Sequence, residues 1–234
     1  MSTIANEPAV VSGGDEDNPT QSLLKRALGL QAVWILGVLV AICLFFTVIA
    51  GDRFLSAGNF SLMSQNVAVW AVLGVGMTFV IITSGIDLSV GSVLVFSSVV
   101  AAKVMEAMGG VGVGVAAAGL IAAVVSGMAW GTFNGFLVAR AKVPALIVTL
   151  GTLSIALGLA QVITGGIDIR SVPAELTDFS AYTKILGIPG LPFVALIVLI
   201  IGGILLHKTK FGLYTYAIGS NEEAARRTGI KVTR

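Results

Sequence analysis

Long uncharged runs separated by short clusters of charge are the dominant pattern of this chain. Residues 31–50 hold 20 consecutive uncharged residues, enough at about 1.5 Å per residue to cross a bilayer core of about 30 Å. Further uncharged runs occupy 54–86, 88–102, 107–139, 143–167 and 185–207. With turns allowed for, the pattern predicts six helical spans, with cores at 31–50, 62–83, 88–107, 113–137, 145–165 and 191–207. The third is the shortest, because its charge-free part has 15 residues. It needs Lys103 to snorkel toward a headgroup layer.

Charge parity decides whether that third span exists. With six crossings and a cytoplasmic N-terminus, ten basic residues fall inside: Lys25, Arg26, Arg140, Lys142, Lys208, Lys210, Arg226, Arg227, Lys231 and Arg234. Four fall outside: Arg53, Lys103, Arg170 and Lys184. Without the third crossing everything after it inverts, and the count becomes five inside against nine outside, contrary to the positive-inside rule. The expected fold class is therefore all-α, a polytopic transmembrane helix bundle of about six spans. The expected organisation is a disordered cytoplasmic tail over 1–26, which lacks the features of a cleaved signal, a helix bundle over 27–207 with a structured external loop at about 166–190, and a cytoplasmic segment over 208–234.

Composition agrees with the pattern and narrows the chemistry. The 234 residues are 56% hydrophobic and 11% charged, against about 25% charged in a soluble domain. A net charge of +2 leaves no electrostatic footprint for nucleic acid. The single cysteine, Cys43, and the single histidine, His207, support neither a disulfide framework nor a Cys/His metal cluster. They supply no catalytic triad either. No Gly-Lys-Ser/Thr phosphate loop is present, so any use of ATP belongs to another subunit. The chain is expected to be no enzyme and to carry no cofactor or metal.

Inside the spans, small residues at four-residue spacing mark faces where helices approach closely. Gly127, Gly131 and Gly135 form one such ladder, and Gly151, Ser154 and Gly158 a looser one. The segment Thr83-Ser84-Gly85-Ile86-Asp87-Leu88-Ser89-Val90-Gly91-Ser92 is the most informative, since Asp87 is the only carboxylate between Asp52 and Glu106. A charge at membrane depth needs a reason. The favoured one is that Asp87 caps the amides of the next helix, where its negative charge suits the helix dipole; a proton or cation site is the alternative. Asn66, Thr78, Asn134, Thr149, Thr152 and Gln161 are uncharged polar groups that either line a pathway or hydrogen-bond between helices.

Past the sixth span, Ser220 with Glu223 three positions on reads as a capping box. Glu222 and Glu223 sit in the first turn and Arg226 and Arg227 in the last, with two i,i+4 pairs in the favourable order. Gly229 is placed to stop the helix. A two-turn helix is marginal alone in water, so it is either docked on something or a solvated turn.

At this point the sequence resembles the membrane-spanning permease of bacterial ATP-binding-cassette importers for monosaccharides, of the ribose, xylose and galactose type. The resemblance lies in Gly85-Ile86-Asp87-Leu88-Ser89-Val90-Gly91-Ser92, in Asn134-Gly135-Phe136-Leu137-Val138 with Val143-Pro144 and Thr149-Leu150-Gly151-Thr152, and in Tyr216-Ala217-Ile218-Gly219 through Ile230. Ala145-Leu146 stands where that family usually has Pro-Phe. The resemblance implies two cytoplasmic ATP-binding subunits, an external sugar-binding protein and a second permease copy as partners, besides membrane lipid. It makes residues 219–230 the segment that couples to the ATPase, with Gly219, Asn221, Glu222, Glu223, Ala224, Ala225, Arg226 and Gly229 as its residues. It also implies further spans after this segment, so that the chain would hold the earlier part of such a permease. Three functions follow as expectations: a conduit driven by partner ATPases, a secondary transporter with Asp87 as its ion site, and a remnant that inserts without transporting. Branched-chain amino acids are the nearest alternative solute.

Overall fold

A computed structural model describes residues 31–232, and these fall into two compact units divided between Asn59 and Phe60. The 1–26 tail, with Lys25 and Arg26, lies outside the described residues, as does Arg234. In the first unit, helix α1 (Gln31–Ala50) leads into one 3-10 turn at Gly51–Arg53. Phe46 and Phe54 stack with ring centroids 5.8 Å apart across that junction. Helix α2 (Ala57–Ile82) begins in this unit and continues into the second.

The rest of the second unit is helical apart from a short ribbon. Its elements are α3 (Val90–Ala107), α4 (Val113–Ala139), α5 (Ala145–Thr164), α6 (Ala174–Ala181), strands β1 (Lys184–Ile185) and β2 (Ile188–Pro189), α7 (Gly190–Lys208), α8 (Lys210–Ser220) and α9 (Glu222–Arg227). Among the described residues, six helices are long and apolar enough to cross a membrane, and they are the six that the uncharged runs predict. Most of their large apolar side chains are exposed, as lipid-facing surfaces require, while the buried core consists mainly of alanine, serine and threonine. α3 packs chiefly on α4 and α5. Residues 166–190, the expected external loop, contain α6 and the antiparallel β1–β2 ribbon.

The contacts at the helix ends show why the third span is short and that it runs antiparallel to its neighbours in sequence. The ends of α2 and α4 line one shared cavity with α8, which follows directly on α7. The turn after α3, by contrast, meets the segment after α5: a Cβ added at Gly110 would lie 3.2 Å from the Ser171 carbonyl. Successive helix ends therefore alternate between two sides, and removing α3 from the count would break that alternation. The linker 83–89 is not helical. It runs beside Asn134, five residues before the end of α4, and Thr149, four residues into α5. At about 1.5 Å per residue the linker thus enters the bundle by about 6–8 Å. α3 needs fewer residues because irregular backbone, buried at its Ser89 end, spans part of the thickness.

The small-residue ladders behave differently from expectation. Gly127 faces Ser97, with 3.5 Å from an added Cβ to Oγ, whereas Gly131, Gly135, Gly151 and Gly158 have nothing within 4 Å. Four-residue spacing puts these glycines on one helix face, but within this chain only the Gly127 end of the ladder meets a neighbour.

Candidate functional site

The polar centre of the bundle is built on the linker. Ser89, 1% exposed, donates from its backbone N–H and its hydroxyl to Asp87 Oδ1, at 2.8 and 2.7 Å. Its hydroxyl oxygen in turn accepts from Asn134 Nδ2 at 2.9 Å. The chain Asn134 to Ser89 to Asp87 joins α4 to the start of α3. Asp87 thus closes a local turn on Ser89, the residue just before α3; the bond goes to that residue's amide, and not to an amide of α3 itself as its position predicts. Ser89 itself, at the N-cap position, makes no side-chain cap. Thr149 Oγ1 bonds the Ala145 carbonyl at 2.9 Å and lies 3.4 Å from the Ile86 carbonyl. Thr152 is buried and bonds its own helix through the Val148 carbonyl at 3.0 Å.

Of the expected pathway residues, Asn134, Thr149 and Thr152 are buried, and the first two meet the linker. Asn66 is not with them: it is exposed and bonds the Leu62 carbonyl of its own helix. Thr78 likewise bonds Gly74 within α2, and Gln161 is exposed. Gly85 sits against Val80, while Gly91 has nothing within 4 Å. Among the described residues no three His, Cys, Asp or Glu side chains come together to hold a metal ion.

The segment past α7 is more structured than its sequence suggests. α8 is a full helix that the sequence reading leaves unassigned. It opens where the Thr209 hydroxyl accepts from Gly212 N–H at 3.3 Å, an N-cap that the chain order Thr-Lys-Phe-Gly carries. Its small face holds the buried Gly212 and Thr215. A side chain at Gly212 would clash with the Leu206 carbonyl, and one at Gly219 with the Ile82 carbonyl. Glycine at 219 thus lets α8 seat directly on the last carbonyl of α2. Phe211 packs on Phe79 of α2 with centroids 5.7 Å apart.

At α9 the cap differs from the expected capping box. Ser220 is the last residue of α8; the N-cap is Asn221, whose Oδ1 accepts from Ala224 N–H at 2.9 Å. Both motifs satisfy the same sequence rule, and the one with the extended backbone, Asn221 at φ −159°, holds the position because it breaks α8 from α9. The two ion pairs form as read: Arg226 to Glu222 at 2.6 Å and Arg227 to Glu223 at 3.2 Å. Both are exposed and each contributes about 0.3–0.5 kcal/mol. Gly229, at φ +88°, ends the helix, and Ile230 N–H bonds back to the Ala225 carbonyl at 3.1 Å, a Schellman closure. Ala225 is 4% exposed, so it anchors the hook while Glu222, Glu223, Ala224, Arg226 and Arg227 face outward.

Residues 59–234 match the family described as the permease component of the branched-chain amino acid transport system, and the chain belongs to that family. It is 36% identical over 204 residues to the ribose import permease protein RbsC of Escherichia coli K12, covering 86% of this chain and 61% of that protein. It is 35% identical over 195 residues to the autoinducer 2 import system permease protein LsrC of Salmonella typhi, covering 83% of this chain and 54% of that protein. The chain thus spans about three-fifths of the length of these relatives. No solved structure matches it.

Proposed function

We propose that this chain forms the membrane path of an ATP-driven importer for a small sugar, and that residues 219–230 take up force from cytoplasmic ATP-binding subunits. The observation that carries the reading is the seat of the hook. α9 is rigidly capped at both ends, presents only polar side chains and Ala224 outward, and connects through Gly219 to the terminal carbonyl of α2. From there the linker 83–89 leads through Ser89 to Asn134 of α4. A push on α9 therefore reaches α2 through the seat of α8 and α4 through the linker 83–89. The bundle then exchanges between states open to either side, biased by nucleotide binding in the partner.

In this reading the N-terminus is cytoplasmic, the ten-to-four basic count sets the orientation, and the region of α6 and the β-ribbon receives an external sugar-binding protein. A second permease copy completes the path in the membrane lipid. Asp87, Ser89, Gly85 and Gly91 belong to the moving linker, and Asn134, Thr149 and Thr152 are the polar groups nearest the path. A sugar is favoured because one relative is a ribose permease. The family description favours the second solute class, branched-chain amino acids.

The test is solute uptake in membranes that carry the chain with its ATP-binding subunits. The reading predicts uptake of labelled ribose above leucine, abolished by ATP depletion and retained with an uncoupler. Reversing Glu222 and Glu223 to lysine is expected to lower ATPase association and uptake at least tenfold. Uptake that survives ATP depletion and collapses with the uncoupler would transfer the role to an ion gradient; normal association in the double variant would overturn the docking.

A further inference from the structure

A cavity of about 830 Å³ lies between the feet of α2 and α4, helix α8 and the hook. Its floor is apolar and aromatic, from Phe79, Val80, Val138 and Phe211, and Lys142 and Lys231 line it from two different segments. The only carboxylate on its wall, Glu222, is held by Arg226 at 2.6 Å. Neither lysine has an acidic partner: the ion pairs among the described residues are Lys103–Glu106, Arg226–Glu222 and Arg227–Glu223. The wall therefore carries two unneutralised cations over a greasy floor, at the ends of membrane-spanning helices.

We infer that this cavity is a binding site for an anionic phospholipid. The phosphate sits between Lys142 and Lys231, and an acyl chain runs along Phe79, Val80 and Val138 of the spans. The charge pattern decides the headgroup: a zwitterionic lipid would bring its own cation to two lysines that already lack a counter-charge, whereas a net anion supplies one. Basic pockets between spans at a membrane face have this composition in general. The apolar floor decides between a lipid and a free anion, because a phosphate ion alone leaves Phe79 and Phe211 unfilled. Lys142 is held at φ +59°, a left-handed conformation costly for a residue without a glycine's freedom. The turn after α4 thus fixes the lysine at the cavity rim. The inference needs only the bundle with α8 and the hook, and is independent of which solute crosses it.

Native mass spectrometry of the purified full chain, titrated with phosphatidylglycerol or phosphatidylcholine, tests the site. Retention of one phosphatidylglycerol, at least fivefold tighter than phosphatidylcholine, is expected. The double substitution Lys142→Gln, Lys231→Gln is expected to remove that preference, while Lys142→Arg, Lys231→Arg keeps it and so controls for folding. Lys208→Gln with Lys210→Gln removes the same charge outside the cavity wall and is expected to leave retention within twofold. Equal loss in that control pair, or undiminished preference in the first, would overturn the inference. Complete displacement of the lipid by millimolar inorganic phosphate would overturn it in favour of a free anion.

Discussion

Two residues carry contacts that no substitution reproduces. Gly219 approaches the Ile82 carbonyl so closely that a methyl group cannot fit without moving backbone. Gly219→Ala is expected to cost about 1–3 kcal/mol, as overpacking generally does, and to lift the hook. Limited trypsin digestion at Arg226 and Arg227 is the measurement, and cleavage several-fold faster than in the parent chain is the expected result. Ser89 is the second. Its hydroxyl is both donor to Asp87 and acceptor from Asn134, so Ser89→Ala strands a buried amide and is expected to lower stability by about 1–3 kcal/mol. Adding Asn134→Leu removes the stranded group, and the double variant is predicted to be more stable than Ser89→Ala alone in thermal unfolding. Neither contact is visible in the sequence. Ser89 and Asn134 lie 45 positions apart, and no spacing rule links them, although the acidic Asp87 in an apolar stretch marks one end of the network. Gly219 looks like any other glycine until α8 is laid across the foot of α2.

At the scale of elements, spans are the most legible feature because their physics is local: a bilayer sets the length, and uncharged residues fill it. α3 is instructive, since its short charge-free run looks like weakness and is a consequence of the non-helical linker 83–89 that precedes it. Helix ends are less legible where two caps compete. Ser220 and Asn221 both satisfy the rule for an N-cap before an acidic turn, and only the break between α8 and α9 selects Asn221. This yields a discriminating prediction. Asn221→Ala removes the bond to Ala224 N–H and is expected to cost about 1 kcal/mol, seen as faster amide exchange at Ala224. Ser220→Ala is expected to leave that amide unchanged. α8 itself is hidden because its buried face is Gly212 and Thr215, not an apolar stripe; the helix presents Phe211, Leu213, Tyr214 and Tyr216 outward. The glycine ladders mislead for the opposite reason, since spacing identifies a face and says nothing of whether a neighbour covers it.

At the scale of the whole molecule, the account rests on sidedness. The ends of α2 and α4 share a cavity with α8 and the hook, while Gly110 meets Ser171 at the other ends. The hook and the α6 region thus lie at opposite ends of the helices, and in the proposed orientation the hook is cytoplasmic. The direct test uses a Cys43→Ser background, which removes the one native thiol, with Glu223→Cys or Asp178→Cys added and a membrane-impermeant maleimide as probe. In intact cells Asp178→Cys is predicted to be labelled and Glu223→Cys to be silent; in inverted vesicles the pattern reverses. Labelling of Glu223→Cys from outside, or of both positions from one face, would contradict the account.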